Sequence, residues 1–268
     1  MNLSQINIFP IKSLKGIALQ EALVEDRGLE HDRRWMLVGP DNRFITQREH
    51  PRMATLSVAV TKDGLFLKRG SSELVVPLMP EVRRAFVQIW TSHVEAFEYD
   101  DRVNRWFTEQ LGTQCRLVVM PAEAKRKVDP RYAVHLEEDV VSFADGYPFL
   151  LIGEGSLEEL NSRLATPVPM NRFRPNFVVK GSEPFAEDTW RTIQIGETVF
   201  HVVKPCARCT ITTVDQAAGK FSGKEPLRTL STFRNVNGKV MFGQNLIAEN
   251  PGGTIRIGDD VEVLETTV

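Results

Sequence analysis

Short runs of β-branched and aromatic residues, each cut off within a few positions by a turn, fill most of this chain and point to a mostly β fold with a few helices. In the first half the runs are Gln5–Phe9, Arg33–Val38, Ala54–Val60, Leu65–Lys68, Glu73–Val76, Arg84–Trp90, Val94–Tyr99 and Cys115–Met120. In the second they are Phe149–Ile152, Asn176–Lys180, Thr192–Ile195, Val199–Lys204, Thr210–Val214, Leu246–Glu249, Thr254–Ile257 and Val261–Leu264. Turn signals such as Gly39-Pro40-Asp41-Asn42 and Lys62-Asp63-Gly64 separate them. Helical patterning is sparse. Asp101–Leu111 opens on acidic residues and stops at Gly112, Ser156 with Glu159 reads as a capping box for a helix to about Leu164, and Glu225–Phe233 tolerates Pro226 in its first turn. The segment Pro121–Asp139 is charged, holds two prolines and lacks a period, so the chain divides into an N-terminal β-barrel-like part (1–120) and a C-terminal β-barrel part (121–268).

A chain of 268 residues buries a full core without disulfides or structural metal. A formal net charge of −2 gives no basic face for a nucleic acid, so any anion site is local. The opening MNLSQINIFPIK is not a secretory signal, and no run approaches the roughly 18 apolar residues of a membrane span; a cytoplasmic location is expected, with no membrane partner. The three cysteines, Cys115, Cys206 and Cys209, are too few for a secreted disulfide framework or for an all-cysteine iron–sulfur cluster, which takes four.

Cys206 and Cys209 form a C-x-x-C, a motif with several chemistries. Zinc needs further ligands, and the five histidines (His31, His50, His93, His135, His201) form no second pair. A thioredoxin-type pair sits at a helix N-terminus, whereas here Thr210-Ile211-Thr212-Thr213-Val214 reads as a strand. One thiolate binding a soft metal beside Arg208 and two small residues packed in a barrel interior both remain open. Lys12-Ser13-Leu14-Lys15-Gly16 offers cations and backbone amides for a phosphate but lacks P-loop spacing, and as a bare segment reads equally as a solvated turn. Strand alternation would send one of Arg33 and Arg34 inward, to a bound anion or to Asp32, and would set Arg172, Arg174 and Asn176 on one face. Asp145 lies in the turn Asp145-Gly146-Tyr147-Pro148, where its carboxylate either binds a ligand or caps the turn. The four tryptophans, Trp35, Trp90, Trp106 and Trp190, read as core.

Taken in order, FPIKSLKG (9–16), DRRW (32–35), FADGYPFLL (143–151), NRFRPN (171–176), KPCARCTITTVD (204–215) and FGQN (242–245) resemble the MOSC family with its N-terminal β-barrel domain, including the amidoxime-reducing components and bacterial reductases of N-hydroxylated bases. That resemblance implies a molybdenum cofactor, molybdopterin carrying the metal, with Cys209 as the protein's thiolate ligand. It implies Lys12 and Ser13 at the cofactor's phosphate end, and Arg33, Arg174 and Arg208 on the pterin or its phosphate. Gly146, Tyr147 and Asn245 fall on cofactor-contacting positions occupied by other residue types in mammalian relatives. Ala207 joins that set, and Asp145 is the carboxylate candidate for catalysis. The implied activity is reduction of N-hydroxylated small molecules such as hydroxylaminopurines and amidoximes, a detoxifying reaction. With one of three cysteines at the metal, this chain holds no [2Fe–2S] cluster of its own, so electrons are expected from a separate donor protein, a ferredoxin, cytochrome or flavoprotein. A carrier of the cofactor or of sulfur, without turnover, is the alternative.

Overall fold

A computed structural model describes residues 1–80 and 83–267 and shows mostly strands, with three α-helices among them. The largest sheet runs, by hydrogen-bonded neighbours, through Ile17–Leu19, Asn2–Ile8, Phe177–Lys180, Phe149–Gly153, Lys239–Ala248, Thr198–Ala207, Trp190–Ile195 and Val261–Thr266, with Asn235–Val236 pairing to Lys239–Ala248. All its ladders are antiparallel except Phe149–Gly153 with Phe177–Lys180. A parallel pair needs a long crossover, and here residues 154–176 supply it, with the α-helix Glu154–Ser162 and a 3₁₀ turn at Met170–Arg172 within them. The sheet closes on itself, because Leu3 donates to the Asp259 carbonyl and Val261 to that of Met1, next to an Asn2–Asp260 bridge. The first strand of the chain therefore belongs to the same barrel as the last. Alternate residues point inward, and Phe149, Phe177 and Phe200 fill the centre, with ring centroids 5.5 and 5.3 Å apart.

A second sheet, Trp35–Val38, Arg116–Val119, Ser92–Glu98 and Arg84–Ile89, packs with the meander Ser57–Thr61, Gly64–Arg69 and Ser72–Val76. The helix Asp101–Leu111 covers this core with Val103, Trp106, Phe107 and Leu111. Its ends follow the expected signals: the Asp100 side chain accepts from the Val103 amide, and Gly112 closes the helix at φ 69°.

Local chemistry overrode the sequence pattern in several places. Thr210–Thr213 is a turn of 3₁₀ helix rather than a strand, because the Thr212 and Thr213 hydroxyls bond back to the carbonyls of Cys209 and Thr210 at 2.9 and 2.8 Å. Residues Pro51–Thr55 likewise form a 3₁₀ turn, and the strand expected from Ala54 begins at Ser57. Arg33 and Arg174 do not sit in strands: both have left-handed φ, 50° and 57°, so alternation places neither, and Arg172 instead reaches Ser222 and Asp215. The helix expected to open with a capping box at Ser156 starts at Glu154, and the third spans only Leu227–Phe233.

Ser156 is turned inward. Its hydroxyl lies 2.7 and 2.8 Å from the two carboxyl oxygens of fully buried Glu187 and accepts from the Phe185 amide. Burial raises the Glu187 carboxyl above its usual range. Ser156→Ala strips this acid of a partner without changing the core's shape much. We expect a loss of about 2 kcal/mol, measured as a lowered urea midpoint at unchanged slope.

Candidate functional site

The loops at one end of the barrel bring distant segments together. Lys12 and Ser13 follow the first strand, Arg33 precedes Trp35–Val38, and Asp145, Gly146 and Tyr147 precede Phe149–Gly153. Arg174 leads into Phe177–Lys180, Ala207 ends Thr198–Ala207, Arg208 and Cys209 follow it, and Asn245 lies in Lys239–Ala248. All of these residues line one crevice, together with Arg48, Thr46, Cys206 and Thr212. Ser13, Arg33 and Arg174 are non-glycine residues held at φ 67°, 50° and 57°. Such backbone costs about 1–3 kcal/mol per residue and tends to concentrate where geometry serves a ligand.

The crevice is short of negative charge. The Lys12 ammonium, in a side chain almost fully buried, lies 2.5 Å from Asp145 and donates to the Phe143 carbonyl at 2.9 Å. Arg33 pairs with fully buried Asp32 at 2.6 Å and donates to Asn176 at 3.1 Å and to the Arg174 carbonyl at 3.2 Å. Asp32 also accepts the Phe9 amide at 2.7 Å, which fixes the loop. The Arg33 and Arg174 guanidinium carbons stand 4.4 and 4.1 Å from the Phe9 ring centroid. Among the described residues Arg174 has no carboxylate partner, and neither do Arg48 and Arg208. Arg208 donates to the Phe173 carbonyl at 2.5 Å and to Cys206 Sγ at 3.0 Å. Burial and then the neighbouring Arg33 push Arg174 down to about 9.

Asp145 is held well below the usual carboxyl range. Desolvation by the surrounding groups acts to raise it, but the Lys12 ammonium and Arg48 outweigh that. Its side chain is 62% exposed, so solvent screens the pair, and the consequence is a fixed ionised state rather than a large stabilisation. Burial lowers Lys12 to about 8 although Asp145 opposes it. An unfolded lysine titrates near ~10.4, so the unfolded chain holds more protons between the two values and the ligand-free protein gains stability as pH rises through that window. Anion binding runs the other way. We expect inorganic phosphate affinity, measured by calorimetry, to fall by up to about tenfold per pH unit from pH 8, and Lys12→Met to remove that dependence between pH 8 and the onset of Arg174 titration at about 9.

Cys209 caps the 3₁₀ turn Thr210–Thr213, and its sulfur lies 3.8 Å from Arg48 Nη1. Among the described residues no group of three His, Cys, Asp or Glu side chains is arranged to hold a metal. A metal at Cys209 would therefore take its other donors from outside the chain, as a dithiolene provides. A bound anion would meet Lys12, Arg33, Arg174 and Arg208, whose excess positive charge suits a phosphate. The donors present thus fit a phosphate-bearing metal dithiolene. The Asn245 amide donates to the Lys204 carbonyl at 3.0 Å, the Tyr147 hydroxyl is buried without a hydrogen-bond partner among the described residues, and the space beside Gly146 is open.

Sequence reasoning missed Arg48, which carries no local signal in Thr46-Gln47-Arg48, and it misassigned Trp90. Trp35, Trp106 and Trp190 are buried, but Trp90 is 43% exposed and donates from Nε1 to Asp145 Oδ1 at 3.3 Å. It follows the strand Arg84–Ile89 as a left-handed turn residue, φ 53°, which no composition rule assigns to tryptophan.

Residues 1–114 match the MOSC N-terminal beta barrel domain and residues 138–262 the MOSC domain. Mitochondrial amidoxime-reducing component 1 of Mus musculus is 35% identical over 97% of this chain and 82% of its own length, and that of Homo sapiens is 33% identical with the same coverage. Molybdenum cofactor sulfurase of Arabidopsis thaliana is 32% identical over 97% of this chain, which spans 35% of that protein. None of the described helices is long and apolar enough to cross a membrane. Two domain matches in order, and amidoxime-reducing components covered over 82% of their length, lead to one conclusion: the chain belongs to the MOSC family, with the family's N-terminal β-barrel domain ahead of its MOSC domain.

Proposed function

We propose that this protein is a molybdenum-cofactor-dependent reductase of N-hydroxylated compounds, hydroxylaminopurines and amidoximes among them, supplied with electrons by a separate protein. The observation that carries the reading is the meeting of an accessible thiol, Cys209, with a cationic cluster in one crevice: Lys12 and Arg33 are each paired to a carboxylate, and among the described residues Arg174 and Arg208 are not. The relatives named for amidoxime reduction support it. The overall reaction, R–NHOH + 2e⁻ + 2H⁺ → R–NH₂ + H₂O, needs electrons and protons but no protein nucleophile. When bound, the molybdenum cofactor supplies the two-electron chemistry at nitrogen, and the chain supplies binding, orientation and electrostatics. Cys209 offers the thiolate. Lys12, Ser13 and Arg33 hold the phosphate end, and Arg174 and Arg208 the pterin, with Gly146, Tyr147, Ala207 and Asn245 as walls. Asp145, ionised, fixes Lys12 and accepts a substrate N–H. Lys12, lowered to about 8, is the crevice group able to exchange a proton near neutral pH. We place the domain division near residue 120 and the protein in the cytoplasm, where three free cysteines stay reduced.

Reconstitution tests this reading. With a chemical reductant the cofactor-loaded chain should convert benzamidoxime to benzamidine, and an added ferredoxin or flavoprotein should replace the reductant. Turnover from NADH with no second protein would contradict the separate donor. A second reading, cofactor or sulfur carriage, is favoured by the similarity to molybdenum cofactor sulfurases. It predicts a persulfide on Cys209 by mass spectrometry and no turnover with any donor.

A further inference from the structure

We infer that Trp90, Arg48 and Asp145 form a recognition wall that selects flat, amidine-like substrates, an inference that rests on the reductase reading above. Trp90 is the exposed member of the chain's four tryptophans. It occupies a hairpin turn between Arg84–Ile89 and Ser92–Glu98 in a left-handed conformation that turns ordinarily give to Gly or Asn. The indole is not loose there. Its Nε1 donates to Asp145 Oδ1 at 3.3 Å, its ring centroid lies 5.1 Å from that of Phe44, and the Arg48 guanidinium stands 4.7 Å from it. Arg48 in turn reaches Cys209 Sγ at 3.8 Å. A continuous line of contacts thus runs from the site's thiol through a cation to an exposed aromatic surface.

The carboxylate beside the indole has a free oxygen. Asp145 Oδ1 takes both Lys12 and Trp90, whereas among the described residues no hydrogen bond reaches Oδ2. An ionised oxygen next to an aromatic face suits a planar molecule with N–H groups along one edge: the ring stacks and the edge donates. Aromatic amidoximes and N-hydroxylated aminopurines have both features. The Arg48 guanidinium, close to the thiol and without a carboxylate partner among the described residues, is placed to donate to the hydroxyl oxygen of the N–OH group. Ring-free amidoximes forgo the stacking, and tertiary N-oxides lack the N–H edge.

The test compares cofactor-loaded wild type, Trp90→Leu and Trp90→Phe, with molybdenum per chain measured on each. Benzamidoxime and ring-free acetamidoxime are reduced with a chemical reductant, and benzamidine binding is measured by calorimetry. In Trp90→Leu the KM for benzamidoxime should rise about tenfold, more than kcat falls, so that the preference for benzamidoxime over acetamidoxime drops by a similar factor. Benzamidine should bind the wild type about tenfold more tightly than Trp90→Leu, and Trp90→Phe should recover most of the preference. An unchanged preference with unchanged benzamidine affinity in Trp90→Leu would overturn the inference, as would a loss tracking molybdenum content, which would make Trp90 structural. If the loaded wild type reduces neither amidoxime yet binds benzamidine through Trp90, the reductase reading fails while the recognition wall stands.

Discussion

Replacing Cys209 by alanine should abolish measurable reduction of N-hydroxylated substrates, a loss of at least ~100-fold, while leaving the fold intact. The magnitude follows from the usual 10- to 100-fold cost of removing even an outer-shell partner of a metal ligand, which sets a floor for removing the ligand itself. The fold should survive because Cys209 is half-buried at the crevice and caps a single turn with its backbone, which alanine retains. Cys206→Ala provides the comparison. Its sulfur accepts from Arg208 rather than facing Arg48, so its removal should reduce activity far less. Steady-state rates normalised to folded protein, with melting temperature as the check on folding, distinguish the two cysteines. Equal losses in both variants would point to a dithiol site and against a single thiolate ligand.

Arg174→Met should move stability and cofactor retention in opposite directions. In the ligand-free protein Arg174 is a partly buried cation near Arg33 and Arg208 with no carboxylate paired to it among the described residues, and burial already lowers its proton affinity. Methionine keeps contact with the Phe9 ring and removes the repulsion. The ligand-free variant should gain about 1 kcal/mol, or roughly 2–4 °C in melting temperature for a chain of this size. Its affinity for a phosphate-ended ligand should fall by about tenfold or more, the worth of a charge-assisted hydrogen bond. A variant that lost both would mean that Arg174 holds the loop rather than a ligand.

Much of the crevice was readable because its residues lie in short, characteristic segments. Lys12 and Ser13 come from one turn, and Ala207, Arg208 and Cys209 from another, so recognising the segment locates several side chains at once. What escaped depends on contacts between distant positions. The ion pair of Lys12 with Asp145 spans the two parts of the chain, and nothing near either residue announces it. Arg48 and Trp90 belong to separate loops of the second sheet, which meet where residues 42–44 pair with Gln88. Strand content was visible from β-branched runs, but the same rule misread Thr210–Thr213, where threonine hydroxyls satisfy backbone carbonyls and favour a tight turn. Barrel closure through Leu3 and Asp259 was equally hidden, since periodicity reports which face is buried and not which strand is the neighbour.

The most direct test of the account is the molybdenum, zinc and iron content of protein purified from a host that makes molybdenum cofactor, measured by elemental mass spectrometry for the wild type and for Cys209→Ala. The account predicts molybdenum approaching one per wild-type chain, falling away in the variant, with zinc and iron near zero in both. Stoichiometric zinc without molybdenum, lost on removal of Cys209, would contradict it and make the C-x-x-C a zinc site.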